Sequence, residues 1–346
     1  MKRNDLEHID IELTKQCKLE CIHCSARSGQ KPLNNELSLD EIENFLHEAK
    51  SLGLKTVGLT GGEPFLCKEK LMSVIDFCNN NLKISIHIHT NGILINSKDA
   101  NKVSKSASET TVALYGSNAK THDSVTRVEG SMQSTMKGLE RLLQAGANVS
   151  VYIVPMKVNI HEIVPLIKKV SEKGVRRIRI LSISPTGRAI EKFKEMALNS
   201  KELVWLNQEL ENVQNEIAAE LFAGFCTGQF YPQLKTLPGH ASCLAAENRL
   251  HVNAYGTVFP CTASSGMEIF TSGNLRNKDY TLSQLWYQSP LLQVIRRFHS
   301  NPPDKCQKCC IQGSCMSGCR VIMFYKYGSI TIADPKCKGP IHRSKS

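Results

Sequence analysis

Cys17-Lys18-Leu19-Glu20-Cys21-Ile22-His23-Cys24 follows directly on a β-branched run, His8–Leu13, that reads as a first strand. Three thiols on one loop, spaced by three residues and then by two, can hold three irons of a cubane cluster. The fourth iron is then left without a protein ligand. An open metal position is a mark of chemistry, because substrate can bind there. A single zinc ion needs four ligands, for which His23 offers the fourth.

Outward from this loop, short strand-like runs recur at Thr56–Thr60, Ile84–His89, Thr110–Tyr115, Val149–Val154 and Arg177–Ile183. Amphipathic helical stretches lie between them. Ser38-Leu39-Asp40-Glu41 reads as a capping box, after which Ile42, Phe45, Leu46 and Ala49 share one face and Gly53 suits a stop. Gln133–Ala145, ending at Gly146, repeats the pattern, and Asn159 with Glu162 three residues on opens another helix. Six strand–helix units predict an α/β fold with a parallel sheet curled toward a barrel. Six fall short of the eight that close a standard barrel. A partial (β/α)6 TIM-type barrel is expected over residues 1–200, and a helical linker over 201–242. Within that linker a polar helix is expected over 200–221. A cysteine-rich domain follows over 243–346.

Two further motifs close consecutive strands. Gly61-Gly62-Glu63-Pro64 ends the second, where glycines admit close backbone approach and a carboxylate can accept from an ammonium group. Thr90-Asn91-Gly92 ends the third. In a parallel barrel these ends meet on one face, where active sites are built. The Cys17/Cys21/Cys24 pattern, Gly61-Gly62-Glu63-Pro64 and the strand order resemble the radical S-adenosylmethionine (SAM) superfamily over about residues 6–190.

The resemblance implies a [4Fe–4S] cluster on Cys17, Cys21 and Cys24 whose open iron chelates SAM. It implies reductive cleavage of SAM to a 5′-deoxyadenosyl radical that takes a hydrogen from substrate. It places His23 near the cluster or the adenine, gives the SAM amino group to Glu63, and sets Gly61, Gly62, Pro64 and Asn91 around the cofactor. Where relatives carry Ser-Leu-Asp-Gly after strand four, this chain has Ala113-Leu114-Tyr115-Gly116. Ser117 or Arg127 is the expected substitute for the missing serine.

The chain has 14 cysteines, and clusters of them in a large chain read as metal ligands rather than as a disulfide framework. Cys243 is followed after twelve residues by Gly256, and four more lead to Cys261. Cys306-x2-Cys309-x5-Cys315-x3-Cys319 and then Cys337 complete the series. This pattern resembles the SPASM extension of radical SAM enzymes. By that resemblance Cys306, Cys309, Cys315 and Cys337 ligate one auxiliary [4Fe–4S] cluster, and Cys243, Cys261 and Cys319 another. The second set either takes Cys226 as its fourth ligand or keeps an open iron. A four-thiolate zinc site is the alternative. Cys226 and Cys67 are also candidate hydrogen donors to a substrate radical, and Cys78 reads as core.

Hydrophobic residues make up 41% of the chain, enough for a sizeable core, and neither a membrane span nor a signal peptide is legible. A cytoplasmic enzyme is expected. The net charge of +11 favours an anionic partner. Basic residues collect at Lys168, Lys169, Lys173, Arg176, Arg177 and Arg179 and in the tail, with too few aromatics among them for nucleic acid. SPASM enzymes mostly modify peptides, so a ribosomally synthesised peptide is the expected substrate, to be crosslinked, oxidised or epimerised. With the cluster motif beginning at Cys17, the peptide is expected to dock on the barrel or through a separate leader-binding protein. Flavodoxin or ferredoxin is the expected electron donor. Thr262 stands beside Cys261 where the sulfatase-activating branch has a catalytic aspartate, which argues against that branch. The alternatives are a tetrapyrrole side-chain enzyme of haem synthesis and a non-catalytic Fe–S or zinc scaffold.

Overall fold

The structure is a computed structural model and describes residues 5–31, 34–224, 243–309 and 317–334. Cys226, Cys310, Cys315 and Cys337 lie outside the described residues. Six strands stand where the β-branched runs place them: β1 (His8–Glu12), β2 (Thr56–Thr60), β3 (Ser85–Thr90), β4 (Glu109–Ala113), β5 (Val149–Ile153) and β6 (Arg177–Leu181). They pair in that order and all run parallel.

Helices α1 (Leu39–Ser51), α2 (Lys68–Phe77), α3 (Ser97–Ser106), α4 (Ala119–Thr126), α5 (Ser131–Gln144), α6 (Ile163–Glu172), α7 (Ala189–Met196) and α8 (Ser200–Gln214) lie between and after these strands. The capping box of α1 is as expected: Glu41 N–H donates to Ser38 Oγ at 3.2 Å and Ser38 N–H to Glu41 Oε2 at 2.8 Å. Asn159 opens a 3-10 turn, Ile160–Glu162, that runs into α6, but its side chain does not cap it. Asn159 accepts from Met156 N–H and donates to the carbonyls of Tyr115 and Val154, so its amide joins the chain leaving β4 to that leaving β5.

The stretch expected as one helix over 200–221 is two elements. α8 stops at Gln214, and Glu220–Gly224 forms β7, parallel to β6. The Gln214 side chain explains the break. It accepts from Leu221 N–H at 2.7 Å and donates to Ala219 O at 3.0 Å, acting as a polar template for the strand's start. On the other side, β8 (Arg249–Val252) runs parallel to β1, and β9 (Thr257–Phe259) and β10 (Gly273–Asn274) continue antiparallel. The cysteine-rich region thus extends the sheet of the barrel. Among the described residues the two edge strands of the sheet, β7 and β10, do not pair with each other, so the sheet is open.

Alternation along the strands separates two environments. Ile9, Ile11, Val57, Leu59, Ile86 and Ile88 face the helices in one apolar layer. Asp10, Glu12, His89, Glu109, Tyr152 and Arg179 face inward. Strands two apart in a flat sheet lie about 9.5 Å from each other. Here Arg179 of β6 reaches Glu109 of β4, and His89 of β3 stacks on Tyr152 of β5 at 5.3 Å. The sheet therefore curls around a polar lumen.

After β10, α9 (Leu282–Gln288) packs on α1 and α10 (Pro290–Ser300) packs on α9, followed by α11 (Asp304–Gln307) and α12 (Arg320–Tyr327). Trp286 is fully buried, with the Arg296 guanidinium 4.1 Å from its ring centroid and 2.7 Å from its carbonyl. Trp286→Ala is expected to cost about 3–5 kcal/mol, and Trp205→Ala, at an exposed position, less than about 0.5 kcal/mol. Anaerobic urea unfolding measures both, and equal midpoints for the two variants would contradict this packing.

Candidate active site

The cysteine loop leaves β1 and is held from three sides. From β2, Gly62 N–H donates to Thr14 O at 2.7 Å and Glu63 N–H to Gln16 O at 2.8 Å. A Cβ on Gly61 would lie 2.4 Å from Thr14 O, and one on Gly62 would lie 1.9 Å from Gln16 O. The two glycines therefore admit the backbone of the cysteine loop itself. From α4, the carbonyls of Val125 and Thr126 accept from Ile22 and Glu20 N–H. From the loop after β6, Arg188 donates through its backbone to Cys24 O, through Nε to Cys21 O at 2.8 Å and through Nη1 to Ser28 O at 2.6 Å. Gly187 lies so close that a Cβ would come 2.1 Å from Cys24 O.

The three thiols meet in a low-dielectric place. Burial, helped by neighbouring Glu63 and Cys24, pushes Cys17 up to about 12, and burial with Cys24 and Cys17 raises Cys21 further. Thiolates so costly need a cation, which an iron–sulfur cluster supplies. Asn91 Nδ2 lies 3.5 Å from Cys17 Sγ. Burial followed by Arg188 lowers half-buried His23 to about 4, so it is neutral. Its Nδ1 is buried without a hydrogen-bond partner, and its ring meets Tyr115 edge-on at 4.6 Å. Tyr115 is raised by burial and by all three cysteines, so the residue that departs from the family pattern borders the thiols. An unpartnered imidazole and three clustered thiols fit a bound cluster and cofactor.

Glu63 is fully buried, and burial raises its pKa. Oε1 accepts from Phe65 N–H and Thr90 Oγ1, and Oε2 from Asn91 N–H. The carboxylate thus ties the end of β2 to the end of β3, with room for one further donor. Pro64 opens a short 3-10 turn and is buried. Ser117 donates through N–H and Oγ to Glu162, so its side chain already has a partner. Arg127 is exposed, in the left-handed region at the end of α4, and makes no hydrogen bond or ion pair among the described residues. Cys67 is half-buried against the apolar layer, donates to Pro64 O at 3.4 Å and is pushed by burial up to about 11. It lines an open groove of about 560 Å³ with Phe65, Lys68 and Leu94. Cys78 is core.

Below the loop lies the lumen, which sequence reasoning missed. Burial would raise Asp10, but His8, followed by Arg249 and His89, holds it well below the usual carboxylate range. Thr262 Oγ1 donates to Asp10 Oδ2 at 3.1 Å. His89 Nε2 is 3.9 Å from Asp10 Oδ1, and burial lowers His89 to about 4 despite that carboxylate. Gly58 makes the space: a Cβ there would sit 2.1 Å from Asp10 Oδ1 and 3.4 Å from His89 Nε2. Its signal was the alternation of His8, Asp10 and Glu12, and of His87 and His89, with isoleucines. Arg179, grouped in the sequence with the basic residues, is buried beside Glu109, while Lys168 and Lys173 pair with Glu216 and Glu140.

In the cysteine-rich region, burial and then Cys243 and Cys319 push Cys261 up to about 12, so those three thiols are neighbours. Cys306 and Cys309 are joined by a backbone bond across α11. His299 lies beside Cys243. Burial works against its charge, but Cys243 and Glu247 raise it to about 9.

The model of the radical SAM superfamily matches residues 11–170, and that of the iron–sulfur cluster-binding SPASM domain matches residues 243–310. This chain belongs to the radical SAM superfamily. It is a SPASM-bearing radical SAM enzyme, and the two domains bring iron–sulfur clusters and SAM binding with them. It is 24% identical over 345 residues to the AdoMet-dependent heme synthase of Methanosarcina barkeri, covering 94% of each chain. It is 25% identical over 339 residues to the mycofactocin maturase MftC of Mycobacterium ulcerans, covering 94% of this chain and 86% of that one. The fold resembles Streptococcus suis SuiB bound to precursor peptide SuiA, with a TM-score of 0.76 at 22% identity over 97% of this chain and 76% of that one. Among the described residues no helix is long and apolar enough to cross a membrane.

Because Gly187 packs on Cys24 O at φ +56°, Gly187→Ala is expected to lose the iron of the first cluster after anaerobic reconstitution. Gly29→Ala, which meets nothing within 4 Å, is expected to keep it. Iron analysis and visible absorbance check both, and a fully loaded Gly187→Ala protein would contradict the clamp.

Proposed function

We propose that this radical SAM enzyme modifies a ribosomally synthesised peptide by crosslinking, oxidation or epimerisation. When bound, the cluster and SAM supply a 5′-deoxyadenosyl radical that takes a hydrogen atom from substrate. The chain's own residues do the holding. Cys17, Cys21 and Cys24 carry the cluster, with Gly61, Gly62 and Arg188 fixing their loop. Glu63 keeps one acceptor site for the SAM ammonium, and Asn91 and His23 border the cofactor. Asp10, anionic, and His89, neutral, orient a polar group of the substrate in the lumen. Cys306, Cys309, Cys315 and Cys337 hold one auxiliary cluster, and Cys243, Cys261 and Cys319 a second.

The charge balance of the lumen carries the choice of substrate. A tetrapyrrole presents several carboxylates, which need cations to meet them. Arg179 is committed to Glu109, Lys15 to Glu12 and Arg188 to two side-chain bonds with carbonyls, and Arg249 already acts on Asp10. An ionised Asp10 beside a neutral His89 instead suits a hydrogen-bond donor, such as a peptide offers. The likeness to a mycofactocin maturase supports this reading. The equally similar heme synthase keeps the tetrapyrrole reading as the second one. Flavodoxin or ferredoxin is the proposed reductant, and a separate leader-binding protein a proposed partner. If the product is an epimer, Cys67 or Cys226 returns the hydrogen atom. Burial keeps Cys67 as the S–H form that this needs.

The reconstituted protein with SAM and dithionite is expected to form 5′-deoxyadenosine, and the Cys17/Cys21/Cys24 triple alanine variant none. Peptides encoded beside the gene and an iron porphyrin with intact propionates are then offered separately, with mass spectrometry as readout. Loss of two hydrogens from a peptide marks oxidation or a crosslink, and deuterium uptake from solvent without other change marks epimerisation. Inert peptides and a decarboxylated porphyrin would overturn the peptide reading.

A further inference from the structure

Cys243, Cys261 and Cys319 supply three thiolates to a cubane whose fourth iron has no assigned ligand. His299, in the last turn of α10, stands beside them, with 1% of its side chain exposed. Its ring lies against Cys243. Its Nδ1 is 2.9 Å from Glu247 Oε1. Its Nε2 is buried with no nitrogen or oxygen partner, and the Cys243 thiol is within hydrogen-bond reach of the ring.

A carboxylate on one ring nitrogen fixes the tautomer. With Nδ1–H donating to Glu247, a cluster iron would take the place of the second ring proton, and Nε2, facing away from the carboxylate, would be the ligating nitrogen. Histidines that ligate metals are held in this way. A buried polar nitrogen with no nitrogen or oxygen partner asks for one, and three neighbouring thiols indicate what it is. The placement is rigid. Arg296, one turn earlier on α10, donates from Nε to Ala246 O at 2.7 Å and lies over Trp286. This fastens the helix to the segment that carries both Cys243 and Glu247.

We infer that His299 Nε2 is the fourth ligand of the cluster held by Cys243, Cys261 and Cys319, with Glu247 as its outer carboxylate. This rests on the reading that those three cysteines hold an auxiliary cluster. Imidazole is neutral where thiolate is anionic, so this ligand raises the cluster's reduction potential relative to an all-cysteine site.

The test is pulsed EPR of the reduced, fully reconstituted enzyme grown with ¹⁵N-histidine. The wild type is expected to show the strong nitrogen coupling of a directly bound imidazole. His299→Cys is expected to lose that coupling, keep its iron and show one cluster at lower potential. Cys226→Ala is expected to change neither iron nor spectrum. Only the weak coupling of an N–H···S contact, or a strong coupling that survives in His299→Cys, overturns the ligand. Iron content unchanged in Cys261→Ala overturns the underlying cluster, and the inference with it.

Discussion

Glu12 is a carboxylate buried between the two cysteine fields, and both depend on its partners. Oε2 is 2.7 Å from Lys15 Nζ and accepts from Ala254 N–H, while Oε1 meets His251 Nε2 and Ser265 Oγ, each at 3.2 Å. Burial would raise its pKa, yet Lys15 and then His251 hold it at about 2. Lys15 lies two residues before Cys17, and Ser265 four after Cys261. One charge therefore sets the first cysteine loop and the second in register with β1. Leaving such a charge without its partners costs about 3–5 kcal/mol, so the arrangement is strongly preferred to any slipped one.

The same strand organises the chemistry. Its outward isoleucines anchor the helical layer, its inward acids line the lumen, and its end launches the cluster loop. Gly58 on β2 leaves room for Asp10, and His89 on β3 closes against it. His89 lies two residues, roughly 7 Å, below Asn91, whose amide approaches Cys17. The lumen thus lies beneath the thiols, while the loop after Cys261 reaches in from the side through Thr262 and Ser265.

Much of this was legible in the sequence, because the governing signals are local. The spacing of Cys17, Cys21 and Cys24, the capping box at Ser38 and six β-branched runs each act over a few residues. What the sequence hid depends on distant partners. The roles of Gly61 and Gly62 could not be read, because a glycine does not say which backbone approaches it. That Ser117 donates to Glu162, forty-five residues on, could not be read either. Arg179 read as one of a basic group because Glu109 lies seventy residues away. β7 was absorbed into a helix because its start is organised by a side chain, Gln214, rather than by composition. His299 fell outside every cysteine pattern, and only folding sets it beside Cys243.

The central claim is that the loop of Cys17, Cys21 and Cys24 holds a cluster with an iron open to SAM. EPR of the dithionite-reduced enzyme, recorded before and after SAM is added, tests it most directly. The account predicts that the signal lost in the Cys17→Ala variant is the one that SAM perturbs, while the other cluster signals stay unchanged. A spectrum that SAM leaves untouched, with that cluster present and reduced, would contradict it.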